Sequence, residues 1–222
     1  MFKSIAKAAA LTAVLAVLAG CGPKQLSPEE AAAERERQLK MVERVYPDKS
    51  PEEVIKAADR VFRLADDDYV LSHSPNGFTA NRRYVIYLII TAGFGDDSWS
   101  VTAQPHGSGT KVTALHSAVG GSMTPLVSGG GAVAPMQSQT ANLITTQPAP
   151  YQLFFSRLEH LLYNKGEWLT CKKAKKIFTE GSLDPFCICA NDRTPDGRSS
   201  MQREKDEHPE KNTDFGGIRT PR

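Results

Sequence analysis

The sequence predicts an α+β fold: an antiparallel meander of three to four strands with two amphipathic helices on one face. Three observations predict it. Val54, Ile55, Ala58, Val61, Phe62 and Ala65 recur at helical spacing, so at about 100° per residue they form one apolar stripe. Over residues 69–119 the period drops to two, with short Gly-, Pro- and Asn-containing breaks between apolar runs. Helical spacing then returns in Tyr151, Phe154, Phe155, Leu158, Leu161 and Leu162. Short connections join neighbouring strands in antiparallel order, and striped helices need a flat apolar face to cover.

The N-terminal stretch has a different character. Lys3 and Lys7 precede an apolar run over residues 8–18, interrupted only by Thr12. That run is too short for a hydrocarbon core, which needs roughly 20 residues. A basic stretch before a short apolar run is the layout of an export signal, here residues 1–20. Leu18-Ala19-Gly20-Cys21 resembles the lipobox of bacterial lipoproteins, with Leu three before a Cys and two small residues between. The resemblance implies lipidation at Cys21 and anchorage in a lipid bilayer through acyl chains such as palmitate. Two or more chains anchor a protein stably. In enterobacterial members of that family an Asp right after the lipidated Cys retains the protein in the inner membrane; Gly22 stands there, which implies an outer-membrane, periplasm-facing location.

Residues 21–49 are expected to be spacer and stalk. Ser27 fits an N-cap, with Pro28 at the first helical position and Glu29 and Glu30 at the positive end of the dipole. The expected helix runs to about residue 45 through Glu34-Arg35-Glu36-Arg37, with a narrow stripe of Leu39, Val42, Val45 and Tyr46. Tyr46-Pro47-Asp48-Lys49 ends it. Ser50-Pro51-Glu52-Glu53 is a capping box opening the striped helix and a single domain over 50–189. Strands follow: Tyr69-Val70-Leu71, a turn at Ser74-Pro75-Asn76-Gly77, then a return through Arg82 and on into 84–91. A reversal is expected at Gly93-Phe94-Gly95-Asp96-Asp97. Trp99, Val101 and Ala103 alternate with polar residues, Pro105-His106-Gly107-Ser108-Gly109 turns, and 110–119 is the last strand. Residues 120–150, with Gly120-Gly121 and Gly129-Gly130-Gly131, read as a long flexible loop. Residues 190–222 hold few large apolar side chains and read as a disordered tail, since little burial offsets an ordering entropy of about 1–2 kcal/mol per residue. In element order and compartment, residues 50–165 resemble helix-grip-type domains of outer-membrane lipoproteins, without a shared motif.

Charge excludes one class of partner. The chain has 27 basic and 25 acidic residues; Lys3 and Lys7 leave with the signal, so the mature chain balances at 25 of each. Nucleic acid therefore has no electrostatic footing. Beyond Cys21, the cysteines are Cys171, Cys187 and Cys189. An oxidising compartment favours one disulfide, between Cys171 and either Cys187 or Cys189. The Cys-x-x-Cys redox spacing is absent.

Asp66-Asp67-Asp68 lacks cation-loop spacing and reads as a solvated helix stop. His73, His106, His116 and His160 sit in separate elements and read as surface or edge residues, with no nucleophile elbow or paired-histidine helix beside them. Lys172-Lys173-Ala174-Lys175-Lys176 reads as a solvated helix face, and Arg82 and Arg83 add little. No catalytic residue, metal or cofactor is expected. The function expected is a non-enzymatic binding or scaffolding domain with an envelope protein as partner. The alternatives are a small-ligand or glycan carrier and an envelope enzyme or thiol-redox protein.

Overall fold

The structure is a computed structural model describing residues 26–88, 91–127, 133–139, 143–144, 146–183, 186–188 and 190–207. Residues 1–20 and Cys21 lie outside the described residues, as does Cys189. The chain divides into two units, Met1–Arg37 and Gln38–Arg222. In the first, Ser27 and Glu30 form a second, reciprocal capping box: Ser27 Oγ accepts from the Glu30 amide at 3.1 Å and Glu30 Oε2 from the Ser27 amide at 2.8 Å. That box opens α1, Pro28–Val42.

The second unit is a sheet with helices on one face. β1 (Glu43–Tyr46) takes residues expected to end the stalk helix and pairs them antiparallel with 110–113. Glu43 accepts from Thr113 Oγ1 at 3.1 Å, and Tyr46 is buried while Val45 is exposed. The β-branched and aromatic run Val45-Tyr46 gains more by covering a strand edge than by a further helical turn. α2 (Pro51–Ala65) has the predicted capping box, with Ser50 Oγ accepting from the Glu53 amide and Glu53 Oε2 from the Ser50 amide. Val54, Ala58, Val61, Phe62, Leu64 and Ala65 are buried on it.

The strands are β2 (Val70–Ser74), β3 (Gly77–Leu88), β4 (Thr91–His106), β5 (Gly109–Val127), β6 (Val133–Gln139) and β7 (Leu143–Ile144). The sheet order is β1-β5-β4-β3-β2, with β6 and β7 also pairing β5, all antiparallel. The turn at Gly107-Ser108 falls as expected, with Gly107 at φ 59°. Two expectations change. The stretch Gly93–Asp97 is not a reversal; it lies inside β4, and pairing closes at Leu88 with Thr91. Residues 120–150 are not a structureless loop: β5 continues to Val127, β6 and β7 lie beside it, and a helix begins at Pro148. The expected turn at Pro75-Asn76 forms, with Ser74 pairing Gly77 across it, whereas Gly95 sits inside a strand; both glycines also allow close approach. A Cβ on Gly95 would sit 2.1 Å from the Val119 carbonyl oxygen, and one on Gly77 2.0 Å from that of Val101.

α3 (Pro148–Tyr163) lies beside α2 and ends at Asn164 in the left-handed conformation, φ 52°. Phe62 centres the core. Its ring lies 5.1–5.7 Å from those of Tyr69, Phe78, Trp99, Phe154 and Phe186, drawn from the sheet, α3 and the segments before β2 and after residue 177. α4 (Cys171–Ile177) is stapled by the Cys171–Cys187 disulfide, one of the two pairings expected. A disordered tail from residue 190 is corrected over 190–207: Asp192 and Thr194 are buried there and α5 spans Ser200–Glu207. Residues 208–222 lie outside the described residues. Among the described residues no helix is long and apolar enough to cross a membrane.

Candidate functional site

Strand pairing and the end of α2 bring five ionisable side chains together under the helices. Register sets Arg82 of β3 beside Asp97 of β4, and Trp99 of β4 beside His116 of β5. Asp66 caps the C-terminus of α2 and enters the same space, with Tyr69 three residues on. Arg82 Nη1 donates to Asp66 Oδ2 at 2.5 Å, and its Nη2 lies 3.7 Å from Asp97 Oδ2. The guanidinium sits 4.7 Å over the Tyr69 ring, whose hydroxyl donates to Asp97 Oδ2. His116 Nε2 meets Asp97 Oδ1 at 2.5 Å, and its ring stacks on Trp99 at 4.3 Å and 16°. Tyr151 Oη accepts from the His116 amide at 3.1 Å, and Asn191 Nδ2 donates to Asp66 Oδ2 at 2.9 Å.

Acid, imidazole and phenol are thus within hydrogen-bond reach, the raw material of general acid–base chemistry. Their exposure argues against that use. Asp97 is 0% exposed, Asp66 and His116 2%, Arg82 3% and Tyr69 5%. Burial first, then the Asp97 charge, pushes the Tyr69 hydroxyl well above its usual range, so it stays a donor. The cluster works as an internal clamp: opposed charges and hydrogen bonds offset their desolvation, and removing one member strands the others.

A second clamp holds the C-terminal segment. Arg157 of α3 donates from Nε to the Leu169 carbonyl at 2.9 Å and from Nη2 to Asp192 Oδ1 at 2.7 Å, lying 4.8 Å over the Trp168 ring. Asp192 Oδ2 accepts the Cys171 amide at 2.9 Å, beside the disulfide. Arg157 and Asp192 are both 0% exposed. The Arg193 amide donates to the Leu64 carbonyl at 2.8 Å, tying the segment to α2.

Of the residues singled out in the sequence, Asp66, Arg82 and His116 come together in the first clamp, and the others scatter. Asp66 is a clamp residue, contrary to the solvated reading of Asp66-Asp67-Asp68, whereas Asp67 pairs with Arg193 at the surface. His116 is buried rather than superficial, and Arg82 is central rather than minor. His73 is exposed on Asp59 at 2.9 Å, His106 is exposed, and His160 Nδ1 lies 3.1 Å from the Gly166 carbonyl oxygen. Lys172, Lys173, Lys175 and Lys176 are all exposed, with Cys171 and Ala174 on the inner face of α4. Strand parity was the signal that could have found the clamp. Phe78, Ala80 and Arg82 share one face of β3, as Asp97, Trp99 and Val101 share one face of β4, so both charges point the way the core residues do.

On the opposite face of the sheet, several apolar side chains are exposed among the described residues. Val45, Val70, Val85 and Leu115 are 39–68% exposed there, at positions alternating with the buried strand residues. Thr79, Ser98, Ser100, Thr102, Thr113 and Ser117 lie between them on the same face. No family model, curated protein or solved structure matches the chain.

Proposed function

We propose that the chain is an envelope lipoprotein, anchored by acylated Cys21 in the outer membrane and facing the periplasm, whose α+β domain is a non-enzymatic binding or scaffolding module for another envelope protein. The anchor rests on Leu18-Ala19-Gly20-Cys21 behind a basic and apolar leader. The binding reading rests on one observation, the exposed sheet face, where Val45, Val70, Val85 and Leu115 stand among hydroxyl side chains. Exposed aliphatics on a flat polar ground suit a protein partner of moderate affinity. The Cys171–Cys187 disulfide accords with an oxidising compartment. The clustered ionisable groups, being buried, give an enzyme reading nothing to act with.

Two measurements test the halves separately. Radioactive palmitate should label the wild-type chain and not the Cys21→Ser variant; equal labelling removes the anchor. Affinity capture from cross-linked, solubilised envelopes should enrich one envelope protein, and Leu115→Arg should lose it. Capture that survives Leu115→Arg and Val70→Arg together moves the partner off this face.

A further inference from the structure

Among the described residues, burial on the helix side fades before the strands end: Tyr84, Gly95, Ala118 and Gly120 are only half-buried. On the helix side the last buried strand residues among the described side chains are Arg82, Asp97 and His116. Pairing continues well past them. β3 and β4 stay paired to Leu88 and Thr91, β4 and β5 to Ala92 and Met123, and β5 and β6 from Gly121 and Gln139 to Val127 and Val133. A four-stranded arm, ordered β3-β4-β5-β6, thus extends beyond the core.

Charge stops at its base. The exposed Arg83–Asp96 pair, 3.2 Å apart, marks the last row with ionic side chains. Beyond it, residues 84–95 and 112–139 contain no Asp, Glu, Lys or Arg. Soluble proteins guard sheet edges with charges, especially Lys, or by covering them. Beyond that row β3 and β6 carry no Asp, Glu, Lys or Arg, and among the described residues no further strand pairs with their outer edges. β2 pairs β3 only as far as Asn81, so over residues 85–88 β3 pairs with β4 alone among the described residues; β6 likewise pairs with β5 alone.

The direction of those two edges decides the occupant. With four antiparallel strands, β3 and β6 run in opposite senses. β6 of one copy laid beside β3 of another therefore continues the antiparallel alternation. A two-fold pairing of β3 with β3 would leave both β6 edges open, whereas head-to-tail repetition leaves none once the ring closes. Lipid is the weaker occupant. β3 and β4 share five paired rows beyond the charged one, roughly 17 Å at about 3.3 Å each, against the 9–11 tilted residues a bilayer crossing takes. Open edges in hydrocarbon would also cost several kcal/mol for each unpaired group.

We propose that this arm is a self-assembly element, in which β6 of one copy pairs antiparallel with β3 of a second copy, head to tail, into a closed ring. It requires neither the acyl anchor nor the exposed sheet face, so it stands or falls apart from the reading above.

The test uses the full chain with Cys189→Ser in mild detergent. One tagged copy carries Tyr87→Cys; a co-expressed copy with a second tag carries Val133→Cys, Pro135→Cys, Gln137→Cys or Gln139→Cys. Oxidation should give a mixed-tag adduct at one of these four β6 positions, and no adduct between two Tyr87→Cys copies. The parent should sediment as a multimer, with Cys21→Ser doing the same, and Tyr87→Lys with Met136→Lys should run as a monomer with an unchanged thermal melt. A parent that is monomeric at every concentration, Tyr87→Cys homodimers, or a monomeric Cys21→Ser chain that floats with phospholipid vesicles would each overturn the proposal.

Discussion

Asp97 shows how much a single buried position can hold. Its two oxygens meet the Tyr69 hydroxyl, His116 Nε2 at 2.5 Å and, at 3.7 Å, Arg82 Nη2. Asp97→Ala should cost about 3–5 kcal/mol in urea unfolding, because Arg82 and His116 lose a partner without regaining water; a loss under about 1 kcal/mol would mean the clamp contributes little. Tyr46 is the reverse case. It is 2% exposed, and its hydroxyl has no hydrogen-bond partner among the described residues. Tyr46→Phe should therefore stabilise by about 1 kcal/mol at neutral pH, since a buried unpaired hydroxyl is removed. The same residue sets a pH response. Burial raises the Tyr46 hydroxyl in the folded state, as it raises Tyr69. The folded chain then keeps protons that the unfolded chain releases above about pH 10, so this stability is complete below that pH and falls as pH rises. Denaturation curves from pH 9 to 12 should fall less steeply for Tyr46→Phe, by up to about 1.4 kcal/mol per pH unit. Parallel curves would contradict the assignment.

Elements differ in how far their own residues dictate them. α2 is self-declaring: its capping box and stripe are local, and Phe62 lands in the core as the period requires. α3 presents Phe154 5.6 Å from the Phe62 ring, and both lie 5.6 Å from Trp99. Phe62→Ala and Phe154→Ala should each cost about 3–5 kcal/mol. Measured together by thermal melts, they should depart from additivity by about 0.5–3 kcal/mol, because the rings share partners. Simple additivity would mean that the two helices do not share one core. β1 and the outer part of β5 were not self-declaring. Residues 43–46 continue a helical sequence, and only the neighbouring edge at 110–113 makes them a strand. Gly93, Gly95 and Gly120 have turn composition, yet Gly95 and Gly120 lie in paired strands that need the absence of a Cβ. At both, an added Cβ would come within 3.0 Å of the Tyr84 hydroxyl.

At the scale of the molecule, the C-terminal segment is the surprise. Its polar composition predicts no fixed structure, yet Asp192 bonds to Arg157 of α3 and the amide of Cys171, while Arg193 reaches α2. A chain ending at Glu207 keeps every described contact and is the reference. Ending the chain after Ala190 should cost about 3–5 kcal/mol by leaving Arg157 buried without Asp192. Asp192→Ala in the longer chain should reproduce most of the loss, read as a lower urea midpoint. Equal midpoints for all three would make the segment a passenger.

The sequence by itself determined the local features: the capped amphipathic helix, the period-two strands, the helix that follows them and two candidate disulfides, of which Cys171–Cys187 forms. Each is encoded within a few residues of itself, by side-chain spacing and turn chemistry. Strand parity aims Arg82 and Asp97 inward, but only the tertiary structure decided which charges find partners there. Asp66, Arg82, Asp97, His116, Arg157 and Asp192 are polar by composition, and a residue read singly is assigned to water. Their burial is favourable only because partners up to 125 positions apart, such as Asp66 and Asn191, arrive together. Desolvation is a cost each residue carries alone, whereas the compensating ion pairs and hydrogen bonds belong to the assembled fold.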